Sequence, residues 1–112
     1  MSRTRLIALR CKIIRGVVSD ERAFDITLVD GRPYTGVAPV HYFWDDHGGR
    51  IPDNVPTNDQ EVTGKVAARL LERENGTALV SIPDGSVVPV NVDQIVDRPS
   101  EVVFDVPVGP RP

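Results

Sequence analysis

The fold is decided by residues 24–40, which read FDITLVDGRPYTGVAPV. Apolar Phe24, Ile26 and Leu28 alternate with other residues, the period of a half-buried β-strand. The dipeptide Asp30-Gly31 tolerates the positive φ angles of a tight turn, and the chain then returns through a second apolar run. This stretch therefore predicts an antiparallel hairpin.

The residues before this hairpin predict a further strand. Apolar and basic side chains alternate over residues 6–18, as expected for a strand whose basic face looks outward. Residues 6–44 are therefore predicted to form a three-strand antiparallel meander.

Residues 62–75 admit two interpretations. The run AARLLER favours a helix by propensity, and Asn75-Gly76 would then cap it. Asn-Gly is also the strongest short signal for a hairpin turn between two strands. We favour the strand because the surrounding sequence is β-like, with one short helix at 62–75 as the alternative. Residues 62–97 then form a second β unit, in which Pro89 indicates an edge strand or the end of a strand.

A faint internal repeat links the two halves. Asp30-Gly31 is followed by Val37-Ala-Pro-Val-His41, and Asp84-Gly85 is followed by Val87-Val-Pro-Val-Asn91. A duplicated unit is a plausible route to a barrel in which neither half could bury its apolar face alone. We predict an all-β barrel of about five to seven short antiparallel strands.

Two segments lack a strand pattern. Residues 45–60 contain two prolines and a Gly-Gly pair among Asp and Asn, and are predicted to form an exposed surface loop. Residues 98–112 are proline-rich yet too apolar for a free linker. We expect them to add an extended edge segment to the same copy or to a neighbour.

Residues Gly36-Val-Ala-Pro-Val-His-Tyr-Phe43 resemble the last strand and following turn of SH3 domains. In that family the proline and the tyrosine line a groove for proline-rich peptides, so the resemblance implies such a groove at Pro39 and Tyr42. Residues 62–95 resemble the broader SH3-like small barrels, in which a Gly-x-Val strand, an Asp-Gly turn and a closing single-turn helix recur. The resemblance implies an SH3-like or related barrel, an architecture that hosts many functions.

Length and composition indicate one domain. The chain has 112 residues, with ten prolines and nine glycines that favour turns over long helices. Its single cysteine, Cys11, cannot form an intrachain disulfide, which favours a reducing compartment. No apolar run is long enough for a signal peptide or a membrane span. We therefore expect residues 1–112 to form a single cytoplasmic domain, with no membrane partner and no cofactor.

Aromatic residues are densest between positions 34 and 44, beside an acidic segment. Such residues on one face could stack on proline or enclose a cation, whereas a small core would also need them as plugs. The predicted contact surface consists of Tyr34, Pro39, Tyr42, Trp44, Asp45 and Asp46.

The sequence gives weaker signals for a metal site or an enzyme active site. His41, Asp46 and His47 supply nitrogen and oxygen ligands, but their spacing matches no established metal motif. Cys11 sits between Arg10 and Lys12, where an activated thiol is conceivable and inert packing is favoured. No phosphate-cradling glycine loop or nucleophile elbow is present.

The sequence favours a non-catalytic protein-binding or assembly module that contacts a protein partner or a second copy. The first alternative is a nucleic-acid-binding small barrel. Its phosphate contacts would be Arg3, Arg5, Arg10, Lys12 and Arg15. The formal net charge of −3 argues against that role. The second alternative is a metal-dependent enzyme that uses His41, Asp46 and His47.

Overall fold

The computed structural model describes residues 5–16, 20–52, 55–57 and 60–96. Within these ranges the chain forms eight strands: Arg5–Arg15 (β1), Glu21–Thr27 (β2), Pro33–Pro39 (β3), Phe43–Asp45 (β4), Glu61–Glu74 (β5), Thr77–Ser81 (β6), Val87–Asn91 (β7) and Ile95–Val96 (β8). The 3₁₀ turns Val40–Tyr42 and Val92–Gln94 precede β4 and β8. The all-β prediction is confirmed, and no α-helix occurs among the described residues.

The strands form one antiparallel sheet. Its order is β3-β2-β1-β5-β6-β7, with β4 paired to β5 and β8 paired to β1. The sheet curls into a half-barrel, an architecture compatible with a small barrel. In the part of the chain that the structure describes, no helix is long and apolar enough to cross a membrane.

The ambiguous residues 62–75 belong to a strand and a turn. Glu74 pairs with Thr77, and the two residues between them, Asn75 and Gly76, have φ angles of 51° and 83°. Positive φ at both central positions defines the hairpin turn that matches the twist of the flanking strands. The local turn geometry therefore outweighs the helical propensity of residues 67–73.

The two halves of the sheet share one element order. Each half has a long strand, a hairpin, a 3₁₀ turn and a short strand, and the short strand pairs with the long strand of the other half. A single row of paired residues crosses the centre and contains Phe43, Val66, Leu9 and Ile95. An approximate two-fold axis thus passes through the Leu9–Val66 pair.

The core fills the inner, concave face of the sheet. Directly paired residues share a face, so the buried Leu9, Val66 and Phe43 all point inward. Phe24 joins them, with its ring centroid 5.6 Å from that of Phe43 in an edge-to-face contact. Gly64 lets β4 approach β5 closely, because a Cβ there would clash with the carbonyl oxygen of Trp44.

The segment predicted as an exposed loop is partly buried. Ile51 is 6% exposed and Pro56 is fully buried. The guanidinium of Arg22, itself fully buried, donates hydrogen bonds from Nε to the carbonyl oxygen of Val55 (3.0 Å) and from Nη2 to that of Pro52 (3.5 Å). The described parts of this segment therefore cover one side of the core.

The predicted edge segment at residues 98–112 lies outside the described residues. So does Arg3, one of the predicted phosphate contacts.

Candidate functional site

Trp44 is buried, which corrects the predicted contact surface. It is 3% exposed and belongs to a small apolar cluster with Ala8 and Ala67. Ala8 and Ala67 are directly paired, and Trp44 pairs with Lys65 in the neighbouring row. The two alanines leave a depression on the outer face of the sheet, and the indole fills it. Trp44 therefore cannot serve as an exposed anchor.

The other predicted contact residues of this segment are scattered. Tyr34 is half-buried, and its hydroxyl lies 3.0 Å from Oδ2 of Asp84 and 2.9 Å from Oγ of Ser86. Tyr42 is half-buried against the core, with its ring centroid 4.7 Å from that of the exposed His41. Pro39 is exposed at the end of β3. The structure thus forms no continuous aromatic face from them.

The carboxylates of Asp45 and Asp46, two residues of the predicted site, accept hydrogen bonds in and beside the turn that follows β4. Oδ1 of Asp45 accepts hydrogen bonds from the backbone N–H groups of His47 and Gly49, both at 2.8 Å. Oδ2 of Asp46 accepts a bond of 2.7 Å from the hydroxyl of Thr63. Among the described residues, no three His, Cys, Asp or Glu side chains come together in a way that could hold a metal ion.

The turn at Asp45 gives a prediction on pH. The hydrogen bond from Gly49 is the largest cause that holds the pKa of Asp45 below its ordinary value of 3.8; desolvation opposes it, and the bond from His47 adds to the lowering. A lowered folded-state pKa adds stability above the unfolded value, and that stability is lost as pH falls through the folded value. In a carbon-13 NMR titration, the Asp45 carboxyl should have a midpoint below 3.8. A midpoint at or above that value would contradict the hydrogen-bonded turn.

A groove of about 400 Å³ crosses the outer face beside β1. Its charged lining residues are Arg10, Lys12, Asp25 and Asp46. Lys12 also forms an exposed ion pair with Glu61, at 3.8 Å. The basic face of β1 and the acidic segment that follows β4 thus meet in one place, so the groove carries both signs of charge.

Cys11 also lines this groove, yet its thiol is not activated. Burial, and secondarily the carboxylates of Asp46 and Asp25, raise the pKa of the Cys11 thiol well above its ordinary range. Because the thiolate is the reactive form, we expect a thiol-specific reagent at pH 8 to leave the native protein unlabelled and to label Cys11 after unfolding in guanidinium. Rapid labelling of the native protein would show that the thiol is accessible and ionised.

The outer edge of β3 presents backbone groups that pair with no described strand. The bonds Val40 N–H to Asp20 C=O and Leu28 N–H to Arg32 C=O, both 2.8 Å, fix the phase of the β2–β3 ladder. Because hydrogen-bonded pairs alternate along an antiparallel ladder, the even-numbered residues of β3 face β2. The odd-numbered residues Thr35 and Val37 therefore turn their N–H and C=O groups to the edge.

A proline lies at each end of this open edge. Pro33 and Pro39 also face the edge by the same parity, but they carry no N–H. Natural sheets use edge prolines to limit unwanted strand pairing. The open N–H donors of the edge are therefore those of Thr35 and Val37, while all four residues offer a carbonyl.

Apolar side chains adjoin the same edge on the outer face. Val37 is 43% exposed, pairs with Ala23, and Ala23 pairs with Ile14 on β1. Ala23 and Ile14 are half-buried. We call this region the β3 edge surface, which comprises Ile14, Ala23, Thr35, Val37 and Pro39. It combines free backbone groups with an apolar row, the two features that an added strand requires.

The opposite edge of the sheet is less open. The bond from Ile82 N–H to Ser86 C=O fixes the phase of the β6–β7 ladder. By the alternation described for β3, the odd-numbered residues of β7 turn their N–H and C=O groups to the outer edge. Pro89 lies in the middle of that edge without an N–H, and its carbonyl accepts a bond of 3.0 Å from Val29 N–H. The hairpin between β2 and β3 thus already occupies part of the β7 edge.

Comparison with known proteins adds no identity. No protein-family model, curated protein or solved structure matches this chain. The candidate site therefore rests on the geometry of the β3 edge surface.

Proposed function

We propose that this protein is a non-catalytic protein-binding or assembly module, and that it contacts its partner through the β3 edge surface. The observation that carries the proposal is the open edge of β3 at Thr35 and Val37, beside exposed apolar side chains. An extended segment of a partner would satisfy these backbone groups and cover Val37 at the same time. The proposed contact region keeps Pro39 of the predicted surface, adds Ile14 and Ala23 from β1 and β2, and is centred on Val37 instead of Trp44.

The chain offers a matched pair of positions for a test. Val37 and Val29 are both exposed valines, at 43% and 39%, but only Val37 belongs to the β3 edge surface. A photo-reactive benzoylphenylalanine placed at position 37 of the full chain should form cross-links with a bound protein after irradiation in cells. The same group at position 29 should form at least tenfold fewer. Equal yields at the two positions, or none at either, would refute the proposed surface.

We also propose that the architecture is an SH3-like or related small barrel. It is supported by the 3₁₀ turn Val92–Gln94 and by the strand β8 that follows it and pairs with β1. Pro39 lies at one end of the β3 edge surface, which is consistent with a peptide-binding role for the proline of the resembling segment. We also keep the cytoplasm as the proposed compartment, since Cys11 is a free, buried cysteine.

Nucleic-acid binding has less support than protein binding. Arg10 and Lys12 lie in the groove with Asp25 and Asp46, which offset their charge. Affinity for nucleic acid should therefore be low at physiological salt. A filter-binding assay that gave tight, steeply salt-dependent binding, weakened by Arg10→Ala, would favour this alternative instead.

A further inference from the structure

A segment of this sequence has the pattern of a strand that pairs on one side only. Residues 102–108 read VVFDVPV, with apolar side chains at all four even positions and a proline at 107. Along a strand, residues of one parity share a face and also turn their N–H and C=O groups to one edge. The edge of odd parity is interrupted because Pro107 lacks an N–H. The segment is therefore suited to pair through its even residues, which carry four of its five apolar side chains besides proline.

The β3 edge has the complementary arrangement. Its free backbone groups belong to odd residues, whose side chains lie on the outer face with Val37. When two strands pair, opposite residues share a face. An added strand that pairs through its even residues would thus place its apolar side chains on the outer face beside the row Val37, Ala23 and Ile14. In each of the two strands, the residues whose backbone groups would form the new ladder are therefore the residues whose side chains would lie on the outer face.

We propose that residues 102–108 of a second copy add to the β3 edge surface as an antiparallel strand, with Phe104 opposite Val37. This inference rests on the proposed function and names its partner. In this register Val106 lies opposite Thr35, while Val102 and Val108 lie opposite Pro39 and Pro33. Every free N–H and C=O of the β3 edge then has a partner, and the carbonyls of Val102 and Val108, opposite the two prolines, receive no N–H from β3.

The length of the chain after β8 favours a second copy over the same copy. β8 ends at Val96, opposite Ala8 of β1. The registers of β1 with β2 and of β2 with β3 place Pro39 level with the residue that follows Arg15. Measured from Ala8, this position lies about 26 Å along the strand direction and about 10 Å to the side. The six steps from Val96 to Val102 span at most about 22 Å. The segment of the same copy therefore falls short of the start of this register.

Two copies that exchange this segment would form a closed two-fold dimer, since each would offer one edge and donate one strand. We expect the full chain to sediment at twice the monomer mass. Val37→Lys, which removes the receiving surface, and Phe104→Asp, which alters the donated strand, should each weaken the dimer at least tenfold. Val29→Lys is the matched control and should leave the dimer unchanged. Circular dichroism of each variant checks that the fold is retained.

A mixing experiment tests exchange between copies. Val37→Lys keeps an intact donated segment, and Phe104→Asp keeps an intact edge. An equimolar mixture of these two monomeric variants should therefore form dimers, whereas the double variant should not. A monomeric wild type, or a mixture that stays monomeric, would overturn the inference. If cross-links from position 37 to other proteins persist in that case, the β3 edge surface still binds a protein and only the identity of the partner is wrong.

Discussion

Replacing Arg22 with alanine should lower the free energy of unfolding by about 3–5 kcal/mol. The fully buried guanidinium donates to the carbonyl oxygens of Glu21 (2.7 Å) and Val55 (3.0 Å). The change leaves these carbonyls without their donor and creates a cavity. For a domain of this size, the melting temperature should fall by an amount on the order of 10 °C or more. Urea and thermal unfolding measure the effect.

Arg15 provides the control for this prediction. It is exposed and donates a single long bond of 3.5 Å to the carbonyl of Pro56, in the same covering segment. Arg15→Ala should therefore change stability by no more than about 0.5 kcal/mol. Arg22→Met keeps most of the buried volume without the donors and should fall between the two. Equal losses for Arg22→Ala and Arg15→Ala would show that burial of the guanidinium does not hold this segment in place.

Replacing Trp44 with alanine should also cost about 3–5 kcal/mol, because it removes the largest side chain of the outer cluster from its place over Ala8 and Ala67. Trp44→Phe refills part of that space and should cost less. The measurement is again the free energy of unfolding from a denaturant titration. Stability unchanged in Trp44→Ala would show that the indole is not packed as described.

This prediction also decides how a binding experiment should be interpreted. Loss of a partner in Trp44→Ala would follow from loss of the fold and would say nothing about an interface. Val37→Lys changes an exposed side chain on the β3 edge surface, so it should lose the partner while the melting temperature stays within a few degrees. The two variants therefore separate a structural residue from a contact residue.

Local signals in the sequence were sufficient for the strands and turns. The alternation from Phe24 to Leu28 and the turn at Asp30-Gly31 depend on neighbouring residues alone, so a single sequence reveals them. Asn75-Gly76 also fits a helix cap, and only the β-like sequence around it favours the turn. Cross-strand rows depend on register between distant segments. Nothing near Trp44 in the sequence indicates that Ala8 and Ala67 lie beneath it, and this is why its burial was not predicted.

Two features of the structure have signals in the sequence. The alternation of Phe24 and Ile26 extends back to Arg22, which places that arginine on the inner face. The exposed Val37 lies between two prolines of equal parity, Pro33 and Pro39, a pattern typical of a strand at the edge of a sheet. The open backbone groups of that edge could not be predicted from β3 alone, because they depend on which other strands pair with it.

Pairing between strands that are distant in the sequence affects the rate of folding. The edge of β1 is completed by Ile95 and Val96, so β1 waits for a strand that follows it much later in the chain. β5 likewise joins both halves through its pairs with β1, β4 and β6. Such non-local pairing closes long loops before it gains contacts, and domains of this type fold in milliseconds to seconds rather than microseconds. During that interval the apolar inner face of β1 has no complete cover.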